Sequence, residues 1–256
     1  MFTGPNIISN GLALCWDPAN SKSYPGSGTS ITDLVGSNTT ITQNTGTFAQ
    51  AGISGSTSVF TSVYDSGYLG GTHKLSFSYN ASTDLAAIVN VTSGGWTIEE
   101  WINIKGLDYP QTPAGSVFSS PAYGTGAVGF DWNHGNSMGM GTIRIGQSDG
   151  GGTGYEVQDN LTVDTNLSIL NKWQCRQLIW DRDNGEIRNY INGILQDTGD
   201  ISSLTNSLYD GSGATIGTLY GWFHYGDRGI TKIYNRILST NELLQNFNGL
   251  KNRYEL

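Results

Sequence analysis

The chain is poor in charge, and what charge it has is mostly acidic. Asp, Glu, Lys and Arg make up 13% of its 256 residues, about half the ~25% of an average soluble domain. Thirteen basic residues stand against 21 acidic ones, for a net charge of −8. Phosphate binding needs a surplus of Lys and Arg, so nucleic acid is not expected as a partner. The polar surface must consist mainly of Ser, Thr, Asn, Gln and Gly.

Long apolar runs and cysteine-rich patterns are also missing. No apolar stretch approaches ~18 residues, so a membrane is not expected as a partner. The first residues, "MFTGPNIISN", lack a basic segment followed by an apolar one, and no secretory signal is expected from them. Cys15 and Cys175 are too few for a disulfide framework. We expect two buried free thiols in a chain made in a reducing cytoplasm.

Catalytic carboxylate patterns are scarce as well. A retaining glycosidase needs two carboxyl groups ~5 Å apart, and none of the six Glu residues begins a Glu-x-Asp-x-Glu run that would place carboxyl groups on one face of a strand. Asp181 and Asp183 lie two residues apart, but they flank a hairpin turn, where Asp is common. The sequence therefore predicts that the protein is not an enzyme.

Two glycine-rich matches lack the context that their chemistry needs. "GTGAVG" (124–129) fits a dinucleotide fingerprint, and "GNSMG" (135–139) fits a nucleophile elbow. Both motifs require a following helix, whereas the residues that follow are glycine-rich or strand-like. We interpret both as loops.

Metal and cofactor signals are weak. His73, His134 and His224 have no Cys or His partner at a zinc-ligand spacing. Loop acids are frequent, but no run matches a calcium loop, and solvated turns are the favoured interpretation. These acids include Asp65, Asp149, Asp159 and Asp210. No cofactor is predicted, and calcium is left open.

Short strand-like segments are abundant instead. They are rich in β-branched and aromatic residues and are bounded by Gly, Asn, Asp and Ser, which predicts an all-β antiparallel fold. Asp183-Asn184-Gly185 and Asn192-Gly193 supply the positive-φ positions of two tight turns, so residues 173–196 should form a three-stranded meander. The predicted strands cover 12–16, 56–63, 74–79, 96–105, 115–119, 126–132, 142–145, 154–158, 173–181, 187–191, 194–196, 213–216 and 229–234.

The last segment, "STNELLQNFNGLKNRY", has a helical pattern. Ser239 with Glu242 three positions later is a capping box, which predicts a helix over about 240–252. Its apolar stripe contains Leu243, Leu244, Phe247, Leu250 and Tyr254. Such a stripe usually faces the protein's own core, so a structural clamp is favoured over a partner-binding helix.

Four stretches together carry a family resemblance. They are "NGLALCWDPANSKSYPGSGTSITDL", "GWTIEEWINI", "KWQCRQLIWDRDNGEIRNYINGILQDTG" and "HYGDRGITKIYNRILSTNELLQNFNGLKNRY". In this order they resemble the concanavalin A-like, laminin G-type jelly-roll domains found in structural proteins of tailed bacteriophages. The resemblance implies two stacked antiparallel sheets, with the first strand (12–16) beside the last (229–234). We expect one domain over 11–256, preceded by an N-terminal arm over 1–10.

Two departures from the family's pattern predict an ion pair. Glu100 and Arg176 replace apolar or small residues on strands that are neighbours in similar sandwiches. A buried charge alone costs several kcal/mol, and a partner offsets much of that cost. We therefore predict that Glu100 and Arg176 pair.

Two aromatic segments are the candidate contact sites. Aromatic side chains anchor protein interfaces and also stack on sugar rings, although filling of the sandwich core is the alternative. The candidates are Phe130, Trp132 and His134 in one segment and Trp222, Phe223 and Tyr225 in the other.

The resemblance implies a function as well as a fold. It suggests a non-enzymatic virion protein, a capsid decoration or a tail or fibre component, that docks on other virion proteins. The first alternative is an adhesin that binds a host surface glycan, and the least favoured is a cryptic glycoside hydrolase. A homo-oligomer is left open.

Overall fold

A computed structural model gives the fold, and it describes sixteen segments of the chain. They are residues 6–36, 41–45, 47–51, 57–65, 72–74, 76–79, 93–105, 119–120, 128–133, 141–147, 156–164, 171–204, 215–216, 218–219, 222–223 and 226–256. Everything below refers to these residues.

The described elements are strands, apart from the C-terminal segment. In chain order the strands are β1 (Leu12–Trp16), β2 (Ser30–Ile31), β3 (Ile41–Thr45), β4 (Thr47–Ala51), β5 (Thr57–Thr61), β6 (Val63–Asp65), β7 (Thr72–Lys74), β8 (Ser76–Tyr79), β9 (Gly95–Ile104), β10 (Ser119–Ser120), β11 (Val128–Asn133), β12 (Gly141–Gln147), β13 (Glu156–Asp164), β14 (Trp173–Asp181), β15 (Glu186–Ile191), β16 (Ile194–Asp200), β17 (Thr215–Ile216), β18 (Thr218–Leu219), β19 (Trp222–Phe223) and β20 (Gly226–Tyr234). Helix α1 spans Thr240–Leu250, and a 3-10 helix continues over Lys251–Tyr254.

The strands form two eight-stranded antiparallel sheets and two small ribbons. The first sheet has the order β16-β15-β14-β9-β20-β5-β4, with β1 also paired to β20. The second has the order β13-β12-β11-β10-β17-β8-β3-β2. The predicted all-β jelly-roll sandwich is confirmed, and so is the pairing of the first strand with the last.

The meander β14–β15–β16 follows from its turn residues. Gly185 has φ +67°, and Asn192 and Gly193 have φ +55° and +79°. In the Asn192–Gly193 turn both central residues have positive φ, which is the geometry of a tight two-residue hairpin, because the twist of such a turn matches that of the flanking strands. This part of the sandwich is as predicted, and β14 has the predicted bounds.

The centre of the first sheet, strands β14, β9 and β20, is buried on both faces, which a two-layer sandwich does not require. All nine residues of β14 and all nine of β20 are buried. One face packs within the sandwich, where Trp96 stacks on Trp180. The other lies under the C-terminal segment, where the ring of Tyr254 stacks on Trp101 with centroids 4.3 Å apart. The predicted clamp is confirmed, and the C-terminal segment adds a third layer.

Helix α1 begins where the capping box places it. Ser239 Oγ accepts a hydrogen bond from Glu242 N, and the Glu242 carboxylate accepts one from Ser239 N, 2.8 Å away. The helix ends at Leu250 rather than about 252, because the 3-10 helix takes over. Leu243 and Tyr254 of the predicted stripe are fully buried, whereas Leu244 is 42% exposed.

The described end of the N-terminal arm is attached to this third layer. Ile8 N donates to Asn246 Oδ1 (2.7 Å), and Ile8 O accepts from Tyr234 Oη (3.0 Å). Gln245 and Arg236 donate to the carbonyls of Asn6 and Asn10. Residues 6–10 are therefore bound to the protein's own helix and last strand.

Candidate functional site

Two short ribbons lie outside the two main sheets. One pairs β6 with β7, the other pairs β18 with β19, and β19 lies beside β7. We call β6, β7, β18 and β19 together the rim ribbons. They contain two of the predicted contact residues, Trp222 and Phe223.

Both ribbons start from the same place in the first sheet. Strand β6 follows β5 after one residue, Ser62, and β19 precedes β20 by two residues. Ser62 N donates to Gly226 O (2.9 Å), and Gly226 N donates to Ser62 Oγ (3.1 Å). These two hydrogen bonds join the point where β6 leaves the sheet to the point where the chain re-enters it.

A polar cluster braces this junction. Asp227, almost fully buried, accepts from Lys105 Nζ (2.6 Å), from Thr61 Oγ1 (2.6 Å) and from Asn103 Nδ2 (3.5 Å). Because a buried carboxylate is stable only when it is paired and hydrogen-bonded, the cluster holds β5, β9 and β20 in register under the ribbons.

The ribbons bring together aromatic positions that are distant in sequence. Trp222 is opposite Leu219, and Phe223 is opposite Thr218. Tyr64 is opposite His73 in the neighbouring ribbon. Tyr64 and His73 were not predicted from the sequence as site residues, because only the contact between β19 and β7 relates them to Trp222. Tyr225 lies outside the described residues.

The other aromatic segment lies within the second sheet. Phe130 is opposite Ile145, and Trp132 is opposite Ile143, so these positions share one face of the sheet. The alternate position on β11, Asp131, is opposite Arg144. Apolar partners on one face and polar partners on the other are typical of a half-buried strand. Phe130 and Trp132 stay predicted contact residues, with core filling as the alternative, and His134 lies outside the described residues.

The predicted partner strands of the buried ion pair are confirmed as neighbours. Arg176 of β14 lies directly opposite Glu100 of β9, and both side chains are fully buried. The Glu100 carboxylate also forms a salt bridge with Arg228 of β20, a residue that the sequence analysis did not name. Burial lowers the pKa of Arg228 to about 9. The Glu100–Arg176 ion pair itself stays a prediction.

Asp181 and Asp183 flank the hairpin turn as the sequence predicts, and both carboxylates have partners beside it. Asp181 accepts from Asn184 N (3.1 Å) and pairs with Arg188, and Asp183 accepts from Gly94 N (2.8 Å). The motif at 135–139 lies outside the described residues, as does most of 124–129. Cys15 and Cys175 are buried and free, as predicted.

A polar groove of about 390 Å³ lies where β15 begins and β16 ends. It is lined by Asn184, Gly185, Glu186, Thr198, Gly199, Asp200 and Ser202. Ser202 hydrogen bonds lower the pKa of Asp200, so this carboxylate is an acceptor at neutral pH. Among the described residues no group of three His, Cys, Asp or Glu is arranged to hold a metal ion. No helix in the described segments is long and apolar enough to cross a membrane.

A family model described as the concanavalin A-like lectin/glucanases superfamily (Laminin_G_3) matches residues 77–243, well over half of the chain. The chain belongs to this superfamily. No curated protein sequence matches it. The superfamily assignment agrees with the jelly-roll sandwich of the structure and with the resemblance carried by the sequence.

Several solved structures of binding domains have a similar fold. The binding domain of Paraclostridial Mosquitocidal Protein 1 matches 94% of this chain with 53% of its own, at 14% identity and a TM-score of 0.63. The binding domain of Botulinum Neurotoxin DC in complex with SialylT matches at 16% identity and a TM-score of 0.57, over 94% of this chain and 52% of its own. The chain thus spans about half the length of these toxin domains.

One similar structure is covered completely. Domain 4 of AbnA, a GH43 extracellular arabinanase from Geobacillus stearothermophilus, in complex with arabinotriose, matches at 15% identity and a TM-score of 0.52. The match covers 94% of this chain and 100% of that domain. At these identities the likeness establishes a shared fold.

Proposed function

We propose that this superfamily member is a non-catalytic recognition domain of a tailed-phage virion, and that the rim ribbons make its contact with other virion proteins. The observation that carries the proposal is the placement of Tyr64, His73, Trp222 and Phe223 in adjoining ribbons that belong to neither sheet. Aromatic residues outside a sandwich core are the ones available to anchor an interface.

The helix-covered face of the first sheet is not available to a partner, which also favours the rim ribbons as the contact site. Helix α1, the 3-10 helix and residues 6–10 cover the β14–β9–β20 part of this face, so that strands β14 and β20 expose no residue there. A partner could reach that face only by displacing the buried contacts of Tyr254 and Leu243. The N-terminal arm is also a candidate contact, but residues 6–10 already bind the protein's own helix, so we assign the contact to the ribbons.

The virion setting rests on the sequence. The four family-like stretches resemble phage structural proteins, and the low-charge polar composition suits a surface exposed to varying salt. Assembly through the ribbons needs roughly 800 Å² per partner with an apolar centre, and Trp222 and Phe223 would supply that centre.

A glycan-binding adhesin is the second candidate, and the polar groove favours it. Its hydroxyl, amide and carboxylate groups suit sugar hydroxyls, and the solved neighbours include structures in complex with SialylT and with arabinotriose. The two candidates place the contact at different sites, since the groove and the ribbons are built from different strands.

Binding of the purified chain to virions tests the proposal. Trp222→Ala should weaken binding at least about tenfold, as expected for an interface anchor. Ile194→Ala is the matched control, because Ile194 is 65% exposed on β16, a strand outside the ribbons, and it should leave binding unchanged. Retained binding in Trp222→Ala, together with tight binding or cleavage of host polysaccharide, would replace the docking proposal with the adhesin or the hydrolase.

A further inference from the structure

A fully buried lysine, glutamate and glutamine lie side by side on three adjacent strands of the first sheet. Glu99 of β9 is directly opposite Lys232 of β20 on one side and Gln177 of β14 on the other. All three side chains are 0% exposed. Nothing in the proposed recognition function uses them, and charged residues are almost never buried without a specific reason.

The two partners of Glu99 meet on its two oxygens. Lys232 Nζ contacts Oε1, and Gln177 Nε2 donates to Oε2 at 3.0 Å. An ammonium can donate three hydrogen bonds, yet among the described residues the Glu99 carboxylate is the group that Lys232 Nζ contacts. A single carboxylate therefore lies between an amine and a primary amide in a site without water access.

The amide of Gln177 is oriented and polarised. Its Oε1 accepts from the backbone N–H of Gly193 (3.1 Å), and its Nε2 also donates to Leu243 O (3.0 Å). A backbone N–H aimed at a carbonyl oxygen stabilises the negative charge that develops there when the carbon is attacked. The leaving nitrogen lies beside the carboxyl group that can protonate it.

We propose that Lys232 and Gln177 condense into an intramolecular isopeptide bond, with Glu99 as the proton-transfer group. Lys232 passes a proton to Glu99, and the neutral Nζ attacks Gln177 Cδ. The oxyanion on Oε1 is held by Gly193 N–H. Cδ–Nε2 then breaks, and Nε2 leaves as ammonia with one proton that came from the lysine, relayed through Glu99. The new amide nitrogen keeps one hydrogen, and the third ammonium proton remains on Glu99.

Removal of buried charge favours this reaction. The ammonium and the carboxylate are replaced by a neutral amide and a neutral acid, and burial penalises charged groups far more than neutral ones. Burial by itself favours the neutral amine, but the Glu99 carboxylate outweighs it and holds the pKa of Lys232 above its ordinary value. The amine thus becomes nucleophilic by transfer of its proton to Glu99 itself.

A competing nucleophile is suppressed. Cys175 lies two residues before Gln177 on the same face of β14, and a thiolate there could form a thioester. Burial raises the pKa of the Cys175 thiol well above its ordinary value, so the thiol stays protonated and poorly nucleophilic.

The chain contains an internal control of similar composition. Lys105, Asp227 and Asn103 also place an amine and an amide on one carboxylate, with Nζ 2.6 Å and Nδ2 3.5 Å from its oxygens. The Lys105 side chain is 37% exposed, so water solvates its ammonium and no buried cation is relieved by reaction. We expect no bond between Lys105 and Asn103.

Peptide mass spectrometry of the folded full-length protein tests the proposal. Trypsin should release GITKIYNR (229–236) joined to QLIWDR (177–182), lighter than their sum by one ammonia, while cleavage after Lys105 stays normal. Glu99→Gln should abolish the joined species. Separate GITK, IYNR and QLIWDR peptides from the wild-type protein would overturn the proposal whether or not any variant folds, and a bond from Gln177 to the Cys175 peptide WQCR would overturn it too. Neither peptide result bears on virion binding, so the recognition proposal is judged separately by the Trp222→Ala experiment.

Discussion

Each face of strand β9 buries one glutamate, and a different cation neutralises the glutamate on each face. Glu99 faces the C-terminal helix and pairs with Lys232, and its neighbour Glu100 faces the sandwich interior and pairs with Arg228. Lys232 lies directly opposite Glu99, whereas Arg228 reaches Glu100 diagonally, past an irregularity in register between Arg228 and Thr231. A strand buried on both faces can carry acidic residues only if a neighbouring strand supplies the cations.

The difference between the faces lies in what surrounds each pair. The outer pair is connected through Gln177 to the helix and to the Asn192–Gly193 turn. The inner pair lies in a row with a second guanidinium, that of Arg176. A lysine can give up its proton, and an arginine in effect cannot. The outer face is therefore suited to chemistry and the inner face to a permanent charge.

Breaking the inner pair should have the largest effect. Glu100→Gln leaves the buried Arg228 guanidinium without its carboxylate, which typically costs about 3–5 kcal/mol of unfolding free energy. Denaturant unfolding measures this as a lower midpoint with an unchanged slope.

Two further variants sharpen that test. The triple variant Glu100→Leu, Arg176→Met and Arg228→Met should recover most of the loss, because apolar replacement of a whole buried cluster of charges is often neutral. Glu186→Gln, at an exposed carboxylate, should change stability by less than about 0.5 kcal/mol. A loss below about 1 kcal/mol in Glu100→Gln would mean that the pair does not neutralise this interior.

The inner pair also shows where sequence reasoning ends. Period-two alternation places Glu100 and Arg176 on one face, and the pairing of β9 with β14 confirms that they are opposite. Arg228 was missed because the apolar pattern of the last strand starts at Gly229, whereas β20 starts at Gly226. The extra residues pair with β5 and β9, and only tertiary contacts reveal that.

Local signals were the most predictive. The capping box predicted the start of α1, and the two Gly-containing turns predicted the hairpins, because each signal acts on the backbone next to it in the chain. Strands β3 and β4 were missed, since "ITQNT" and "TFAQA" have little apolar alternation and β4 forms an end of its sheet. The rim ribbons depend on a contact between β7 and β19, about 150 residues apart in the chain, and no local pattern encodes that contact.

The helix-covered face should be weakened most by a change at Asn246. This fully buried amide accepts from Ile8 N (2.7 Å) and donates to Tyr234 Oη (2.9 Å). Asn246→Leu leaves the buried Ile8 N–H without its acceptor and Tyr234 Oη without this donor, and it should cost about 1–3 kcal/mol, measured by thermal or denaturant unfolding.

The neighbouring amide is the matched control for that change. Gln245 also donates to the N-terminal segment, at Asn6 O, but this hydrogen bond is exposed. Gln245→Leu should therefore cost less than about 0.5 kcal/mol. Equal losses of unfolding free energy in the two variants would show that the buried hydrogen bonds of Asn246 stabilise the third layer no more than the exposed one of Gln245.

Loss of the helix cap should have a smaller effect. Ser239→Ala removes the side-chain acceptor for Glu242 N and should cost about 1 kcal/mol. Ser239→Thr keeps a hydroxyl that can accept from Glu242 N and donate to the Glu242 carboxylate, and it should preserve stability within about 0.5 kcal/mol. If both variants lose the same amount, the cap is not what fixes the start of α1.

The smallest effect, and the most pH-dependent, is expected at Glu242. Hydrogen bonds from Arg236, and then from the Ser239 backbone, lower the pKa of this carboxyl to about 2. A depressed folded-state pKa means that the unfolded chain binds the proton first, so the contribution is present above the unfolded value of about 4.3 and is lost as pH falls toward 2. Glu242→Gln should cost about 0.5–1 kcal/mol at pH 7, as for other partly exposed pairs, and should lose less stability than the wild type between pH 4.5 and pH 2. Glu255→Gln removes the same charge from an exposed position just after the 3-10 helix and is the matched control for the loss of charge. If the unfolding free energy of Glu242→Gln depends on pH as that of the wild type does, the acid sensitivity of the C-terminal layer comes from other carboxylates. The outer and inner faces of β9 would then differ in their buried ion pairs alone.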